Sequence, residues 1–311
     1  MGKHLFGLVV TPFGAAANNR GETEGNITTL QKVLWNDEVH TTVSAEAIRW
    51  ALRWYWQRVK GEDDLNRCWD EQAGSHRWSD PEFKNWAKEK GKKPLDDDVL
   101  GFMSARAAKE EGGEGSRRGR GTCDKRRARL EVTRAISLTP FAGDITFNAA
   151  SVGATPSASK TGRDPVPYGT EVHATRYQYG FALTPEELHD KNRALDVVDA
   201  IVNLSEVAGN QARFLFDFSP DTVIFRWTDD FAPRMLYGFE ASNRDALSVP
   251  GILQRVEAGD IDPHELVVGG TLEGTPNGEA LKDKGAFAEA GVKSAAEEVK
   301  RRIKGDLKLK G

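Results

Sequence analysis

The chain has 311 residues, 39% of them hydrophobic and 29% charged, with a formal net charge of −4. That size suits one large domain or two small ones, and the longest apolar runs fall far short of the roughly 20 residues that span a bilayer. The start, MGKHLFGLVV, has neither the long apolar core and cleavage site of a signal peptide nor the Ser/Thr of a myristoylation signal. The expectation is a cytoplasmic protein with Cys68 and Cys123 as free thiols.

Residues 3–13, with the run HLFGLVVTPF, read as a buried strand, and the polar stretch 14–41, containing NNRGETEGNITTLQKV, as an extended loop. Residues 42–60 read as an amphipathic helix. Val43, Ala47, Trp50 and Trp54 recur at three- and four-residue steps, Glu46, Arg49, Arg53 and Lys60 lie opposite, and Thr42 or Ser44 can cap the start. Residues 61–127 are polar, interleaved with Trp69, Trp78, Phe83 and Trp86, and near low complexity at KEEGGEGSRRGRG, so they read as an insertion. Strands are expected at 128–139 and 171–183. TPEE at 184–187 has the form of a capping box, with Thr184 as cap, opening a helix that runs to about Val207 and stops at Gly209. ARFLFDF and TVIFRW around SPD read as a hairpin at 212–227. The pattern weakens beyond about 240, apart from a charged C-terminal helix in AGVKSAAEEVKRRIKGDL.

Without the insertion and the last strand this order is β-α-β-β-α-β, the ferredoxin-like arrangement. RNA-recognition domains use it with an exposed sheet face, and the fold hosts many activities. RYQYGFAL at 176–183 lacks the positions that would stack bases on that sheet.

Charge is uneven. Residues 117–134 hold eight basic and two acidic side chains, whereas residues 196–311 hold 14 basic and 20 acidic ones. Such a chain can bind a polyanion locally or pack against its own copies, and a solvated basic loop is the plain alternative. The six histidines lack zinc-ligand spacing. Asp96, Asp97 and Asp98 are either a solvated turn or, less simply, a Mg²⁺ site. No nucleophile elbow is present, and His40 is the one candidate base for an RNA-cleaving enzyme. Phosphate cradles are the stronger signal. The helix beginning near Ser44 offers free amides and a favourable dipole beside Arg49 and Arg53, and Gly209, Asn210 and Gln211 precede Arg213 in a second polar turn. The spacing of Trp50 and Trp54 assigns them to the core before base stacking.

Six segments in order resemble one family: NNRGETEGNITTLQKV, VSAEAIRWALR, DDDVLGFM, LEVTRAISLTPFAGDITFNAAS, ATRYQYGFAL and VAGNQARFLFDFSPDTVIFR. Over roughly residues 4–240 the chain resembles the DevR-type CRISPR-associated proteins, a branch of the Cas-seven family found in type I Cascade, here of the I-B kind. The resemblance implies an α+β fold, a modified ferredoxin-like or RNA-recognition fold with a large insertion and a thumb-like β-hairpin. Residues 1–60 and 128–240 would form the palm, 61–127 the inserted finger or thumb region, and 241–311 an extension packed on the palm. It also implies a non-catalytic subunit without cofactor or metal. Copies would stack head to tail along a CRISPR RNA, contact target DNA through the guide, and meet the other Cascade subunits. Guide contacts would fall to Asn18, Asn19, Arg20, Asn26, Ser44, Arg49, Arg53, Gly209, Asn210, Gln211 and Arg213. Arg117, Arg118, Arg120, Lys125, Arg126, Arg127 and Arg129 would touch RNA or DNA from the insertion. An RNA-processing endonuclease and a DNA-binding autoregulator are the alternatives.

Overall fold

A computed structural model describes residues 2–17, 23–88, 91–106, 122–149, 151–153, 156, 167–207, 216–243 and 246–309. The first strand, β1 (His4–Val10), is buried along its whole length. Side chains alternate across a strand, so Leu5 and Val9 enter one apolar core while Phe6, Leu8 and Val10 enter another. Gly7 lies under Phe181, where a Cβ would sit 2.0 Å from the ring.

The expected loop at 14–41 is instead four short strands and the start of a fifth: β2 (Gly14–Ala17), β3 (Thr23–Glu24), β4 (Ile27–Thr28), β5 (Lys32–Trp35) and β6 (Glu38–Val43). Asn36 and Asp37 turn β5 into β6 with positive φ, the backbone a two-residue hairpin turn requires. Helix α1 (Ala45–Lys60) follows, with Ser44 Oγ accepting from the Ala47 amide at 3.2 Å. The stretch read as an insertion contains the hairpin β7 (Arg67–Asp70) and β8 (Ser75–Trp78), the short helices α2 (Lys84–Ala87) and α3 (Leu95–Leu100), and the hairpin β9 (Phe102–Arg106) and β10 (Thr122–Arg126).

The expected strand at 128–139 is two, β11 (Leu130–Val132) and β12 (Ala135–Ser137). After β13 (Ile145–Asn148), the strand expected at 171–183 is also two, β14 (Tyr168–Thr175) and β15 (Tyr177–Leu183). The break falls at Arg176, which donates to Thr11 O at 3.1 Å and Asp221 at 2.8 Å. There β14 leaves the main sheet to pair with β2, β4 and β13. The long helix expected from TPEE is a single turn at Pro185–Glu187 and a separate helix, α4 (Arg193–Val202). Thr184 does not cap; its hydroxyl meets His4 Nδ1 at 3.1 Å. Of the expected hairpin at 212–227, only β16 (Thr222–Thr228) is a strand among the described residues. The C-terminal part holds β17 (Glu240–Asn243), β18 (Ala246–Ser248), α5 (Pro250–Glu257), β19 (Leu266–Gly270), α6 (Pro276–Asp283), β20 (Phe287–Glu289) and the expected last helix, α7 (Val292–Leu307).

The main sheet runs β20-β19-β16-β1-β15-β12-β6-β5, with β11 beside β15. Its centre, β16-β1-β15-β12, is antiparallel throughout, so each β-α-β half is split by a strand of the other. One sheet face carries α1, α4 and α7 through Ile48, Trp56, Val197, Ile201, Val299 and Ile303. The other is covered by Met235, Phe239, Leu247, Ile252 and Leu281. The strands at the centre of the sheet are therefore covered on both faces. Among the described residues no helix is long and apolar enough to cross a membrane.

The acidic run is neither a solvated turn nor an arrangement for a metal. Asp96, Asp97 and Asp98 are 1%, 3% and 0% exposed on α3. Successive helical residues diverge by about 100°, and the three carboxylates have different sets of partners. Asp96 accepts from the amides of Asn66 (2.8 Å) and Arg67 (3.1 Å). Asp97 accepts from Asn66 Nδ2 (2.9 Å) and Trp86 Nε1 (3.2 Å). Asp98 pairs with Arg126 and with Arg193 (2.7 Å) and takes the amides of His189 (3.0 Å) and Asp190 (3.2 Å). Drawing those two amides to Asp98 keeps residues 188–192 out of a helix. Asp98→Ala leaves two arginines with a missing buried partner and is expected to cost about 3–5 kcal/mol, read from urea unfolding midpoints; a cost below about 1 kcal/mol would refute this role.

Candidate nucleic-acid interface

Helix α1 buries Ile48, Ala51, Leu52 and Trp56 against the sheet, which turns Arg49 and Arg53, one turn apart, toward the 61–127 stretch. Arg49 donates to Leu100 O at 2.6 Å. Arg53 Nε stands 3.4 Å from Asp96, an ion-pair distance without hydrogen-bond geometry. A third guanidinium comes from β7. Arg67 and Trp78 are direct cross-strand partners in the β7–β8 hairpin, and cross-strand side chains interact, so the Arg67 guanidinium lies 5.5 Å from the Trp78 ring centre.

These side chains line a cleft of about 620 Å³ with Arg126, Phe83, Phe102 and Met103. Its aromatic wall is packed: Phe83 stacks on Phe102 at 4.0 Å, and Arg126 lies 4.4 Å over Trp86. Gly101, at φ +68°, lets the β9–β10 hairpin close on the wall, since a Cβ there would meet Arg126 O at 2.4 Å.

The electrostatics are lopsided. Burial lowers Arg53 to about 10, helped by the like charge of Arg67, and burial also lowers Arg49 and Arg67. Glu46, Asp96 and Asp97 are the acidic residues of the lining. Burial, reinforced by Asp96, pushes Asp97 up to about 7, so cationic charge exceeds anionic at neutral pH. The Nε atoms of Arg53, Arg67 and Arg126 are buried without hydrogen-bond partners among the described residues. Leaving buried donors unpaired is costly.

Of the other expected contacts, Ser44 is used as the α1 cap. Asn26 is exposed in the β3–β4 turn, its carbonyl accepting from Gly169 at 2.9 Å. Lys125 is exposed on β10. Arg127 is exposed and paired with Glu131 at 2.6 Å, and Arg129 is paired with Glu187. Asn18, Asn19, Arg20, Arg117, Arg118, Arg120, Gly209, Asn210, Gln211 and Arg213 lie outside the described residues. Arg67 and Trp78 escaped the sequence reading; the alternation of RCWD and SHRW around a turn was the available signal. His40 is 6% exposed, with Nδ1 2.7 Å from Ser137 O. Nearby His173 is held down to about 4 by burial. The expected core residues Trp50 and Trp54 are only half-buried and stack on each other, with Trp50 packed against the core, whereas Trp56 is the tryptophan of α1 that is fully buried. Cys68 is a buried free thiol, pushed up to about 11 by burial. Among the described residues no cluster of His, Cys, Asp or Glu is arranged for a metal.

Fold and cleft together define an α+β protein with a cationic, aromatic-walled groove beside a basic stretch of chain. Chains of two solved assemblies share the fold. One, from a CRISPR RNA-guided surveillance complex in a pre-nicking state, matches at TM-score 0.59 and 12% identity over 96% of this chain and 100% of its own. A second, from a CRISPR RNA-guided surveillance complex, matches at TM-score 0.53 and 12% identity over 95% and 99%. The sequence profile described as CRISPR-associated negative auto-regulator DevR/Csa2 matches residues 10–243. The chain belongs to this DevR/Csa2 family of CRISPR-associated proteins. A Myxococcus xanthus (strain DK1622) relative, described as CRISPR-associated protein Cas7/Cst2/DevR, is 51% identical over 306 residues, 97% of this chain and 98% of the relative.

Asp97 makes the cleft sensitive to pH. It ionises near 3.9 when unfolded and near 7 when folded, so the folded state holds the proton more tightly. Its contribution to stability is fully present below pH ~4 and is lost as pH rises to ~7. Asp97→Asn is expected to be increasingly more stable than the parent between those values, with a constant difference above; a difference independent of pH would overturn the assignment.

Proposed function

We propose that this protein is a non-catalytic CRISPR RNA-binding subunit whose copies assemble head to tail along one guide and leave its bases free to pair with target DNA. The observation that carries this reading is the arginine cleft. Arg49, Arg53, Arg67 and Arg126 converge there against only Glu46, Asp96 and Asp97, and a phosphodiester backbone supplies the missing negative charge without regard to sequence. Membership in the DevR/Csa2 family and the fold shared with a chain of an RNA-guided surveillance complex support it. The RNA-cleaving alternative needs His40 at a surface, yet His40 is buried and held by a backbone carbonyl. With the sheet covered on both faces, the guide runs along the cleft and the basic stretch beyond it.

Fluorescence anisotropy with labelled single-stranded RNA tests this directly. Affinity should fall steeply with salt, by a slope near −0.7 per phosphate neutralised, and depend little on sequence. Arg49→Ala should weaken binding and reduce the slope by about 0.7. In ultracentrifugation the mass of the complex should rise in steps with RNA length. Salt-independent binding, or one protein per RNA at every length, would overturn the reading. The family description also names a negative auto-regulator; tighter binding to duplex DNA upstream of its own gene than to RNA would establish that role instead.

A further inference from the structure

The strand pairs β1–β15 and β2–β14 form one antiparallel ribbon that passes from the main sheet into a second sheet, an arm of β2, β3, β4, β13 and β14. Val10 pairs with Gln178 and Gly14 with Thr175, so Thr11, Pro12 and Phe13 on one strand face only Arg176 and Tyr177 on the other. The extra residue is a β-bulge, which bends its strand and sharpens the twist, and Pro12 has no amide to give the ladder. Thr11 bridges part of the gap: its amide donates to Tyr177 O at 2.9 Å, and its hydroxyl accepts from the Tyr177 amide at 2.9 Å. Arg176 closes the rest. Its Nη1 donates to Thr11 O at 3.1 Å and to the Asp221 carboxylate at 2.8 Å.

Asp221 stands just before β16, where its amide donates to Val10 O at 2.9 Å. The carboxylate oxygen that takes Arg176 also accepts from the Thr271 hydroxyl at 2.7 Å. Thr271 follows β19, in the part of the chain beyond residue 243, where the family profile ends. On its other flank β14 is tied to β5 and β6, through Glu171 with Lys32 and His173 with Thr41. Arg176 instead ties the bend to the C-terminal part. The Arg176 and Asp221 side chains are 13% and 19% exposed. A largely buried ion pair gains little net stability against its desolvation, and its best-attested use is to fix one arrangement over its rivals.

We propose that Arg176, Asp221 and Thr271 form a clasp by which the C-terminal part sets the angle of the arm at the bulge. With the clasp closed, the β13 face that exposes Ile145 and Phe147 keeps one direction relative to the main sheet. With it open, the bulged ribbon is free to bend. The clasp goes beyond the proposed function and needs no RNA.

Pulsed electron–electron double resonance on the full chain tests it. Nitroxides go on Phe147→Cys of the arm and Lys293→Cys of α7, both exposed positions, with Cys123→Ser as background and Cys68 buried. The parent should give one narrow distance distribution. Asp221→Ala should lose that single maximum, and Arg176→Met should lose it to the same extent. The double variant should add nothing further, because both changes cut one connection. Arg176→Lys, which keeps a cationic donor, should retain the narrow distribution. Thr271→Val, at an exposed position, should broaden it, and Thr271→Ser, which keeps the hydroxyl, should restore it. A second label pair, Lys293→Cys with Val59→Cys on α1, should read the same in every variant. An arm distance unchanged by Asp221→Ala and Arg176→Met would overturn the clasp, and so would equal broadening of the second pair, which would mean general loosening. Should either of those two variants fail to fold, the Thr271 variants decide: a parent-like distribution in Thr271→Val overturns the proposal.

Discussion

Three consecutive carboxylates on one short helix hold the parts of this protein together. Asp96 and Asp97 tie down the backbone and side chain of Asn66, the Arg67 amide and the Trp86 indole. Asp98 binds Arg126, Arg193 and two amides of the segment that joins β15 to α4. Buried charge is tolerated only when it is paired and hydrogen-bonded, and here the pairing partners lie on four separate stretches of chain. The positions of the β7–β8 hairpin, the β9–β10 hairpin and the start of α4 therefore follow from satisfying a helical turn that would otherwise be prohibitively polar. Lys93, 5% exposed, adds a cationic counterpart, its ammonium held by the carbonyls of Asn85, Trp86 and Lys88.

That arrangement also makes the cleft. Asp96 stands close enough to Arg53 to anchor it, and Asp97, crowded by Asp96 and by burial, holds its proton to near neutrality. Arg67 is brought into the same space by the hairpin that Asp96 fixes. Taking these guanidinium groups out of water is unfavourable, and burial lowers the proton affinity of all three, with the like charge of Arg67 adding to the effect on Arg53 and Arg49. Local structure that stores such a cost is commonly functional, and an anion is the partner that relieves it. Both faces of the central strands, the surface on which RNA-recognition domains bind, are covered by packed side chains, and the arginine cleft lies instead between α1 and the 61–127 stretch.

Some of this was legible in the sequence. The apolar run of β1, the helical spacing of α1 and the charged helical stretch of α7 are local signals, and each element formed where its pattern lies. The four-strand centre followed from the order of those elements. The stretch 14–41 was not legible, because strands of two to six residues have too few side chains for periodicity and owe their form to β14 and to one another. The segment after TPEE had every mark of a helix start, yet its amides served Asp98 better than a helix would.

The site divides the same way. Sequence by itself determined that Arg49 and Arg53 share a stripe of α1 opposite its apolar face, because a 3.6-residue repeat fixes that geometry without reference to the rest of the chain. It determined the basic stretch and the family as well. Only the tertiary structure decided that Arg67 and Trp78 join those arginines, that Asp97 is neutralised in part, and that the three aspartates are a buried anchor. Those facts depend on strand register and burial between residues far apart in sequence, and a side chain's proton affinity is set by what surrounds it in space, not by its neighbours along the chain.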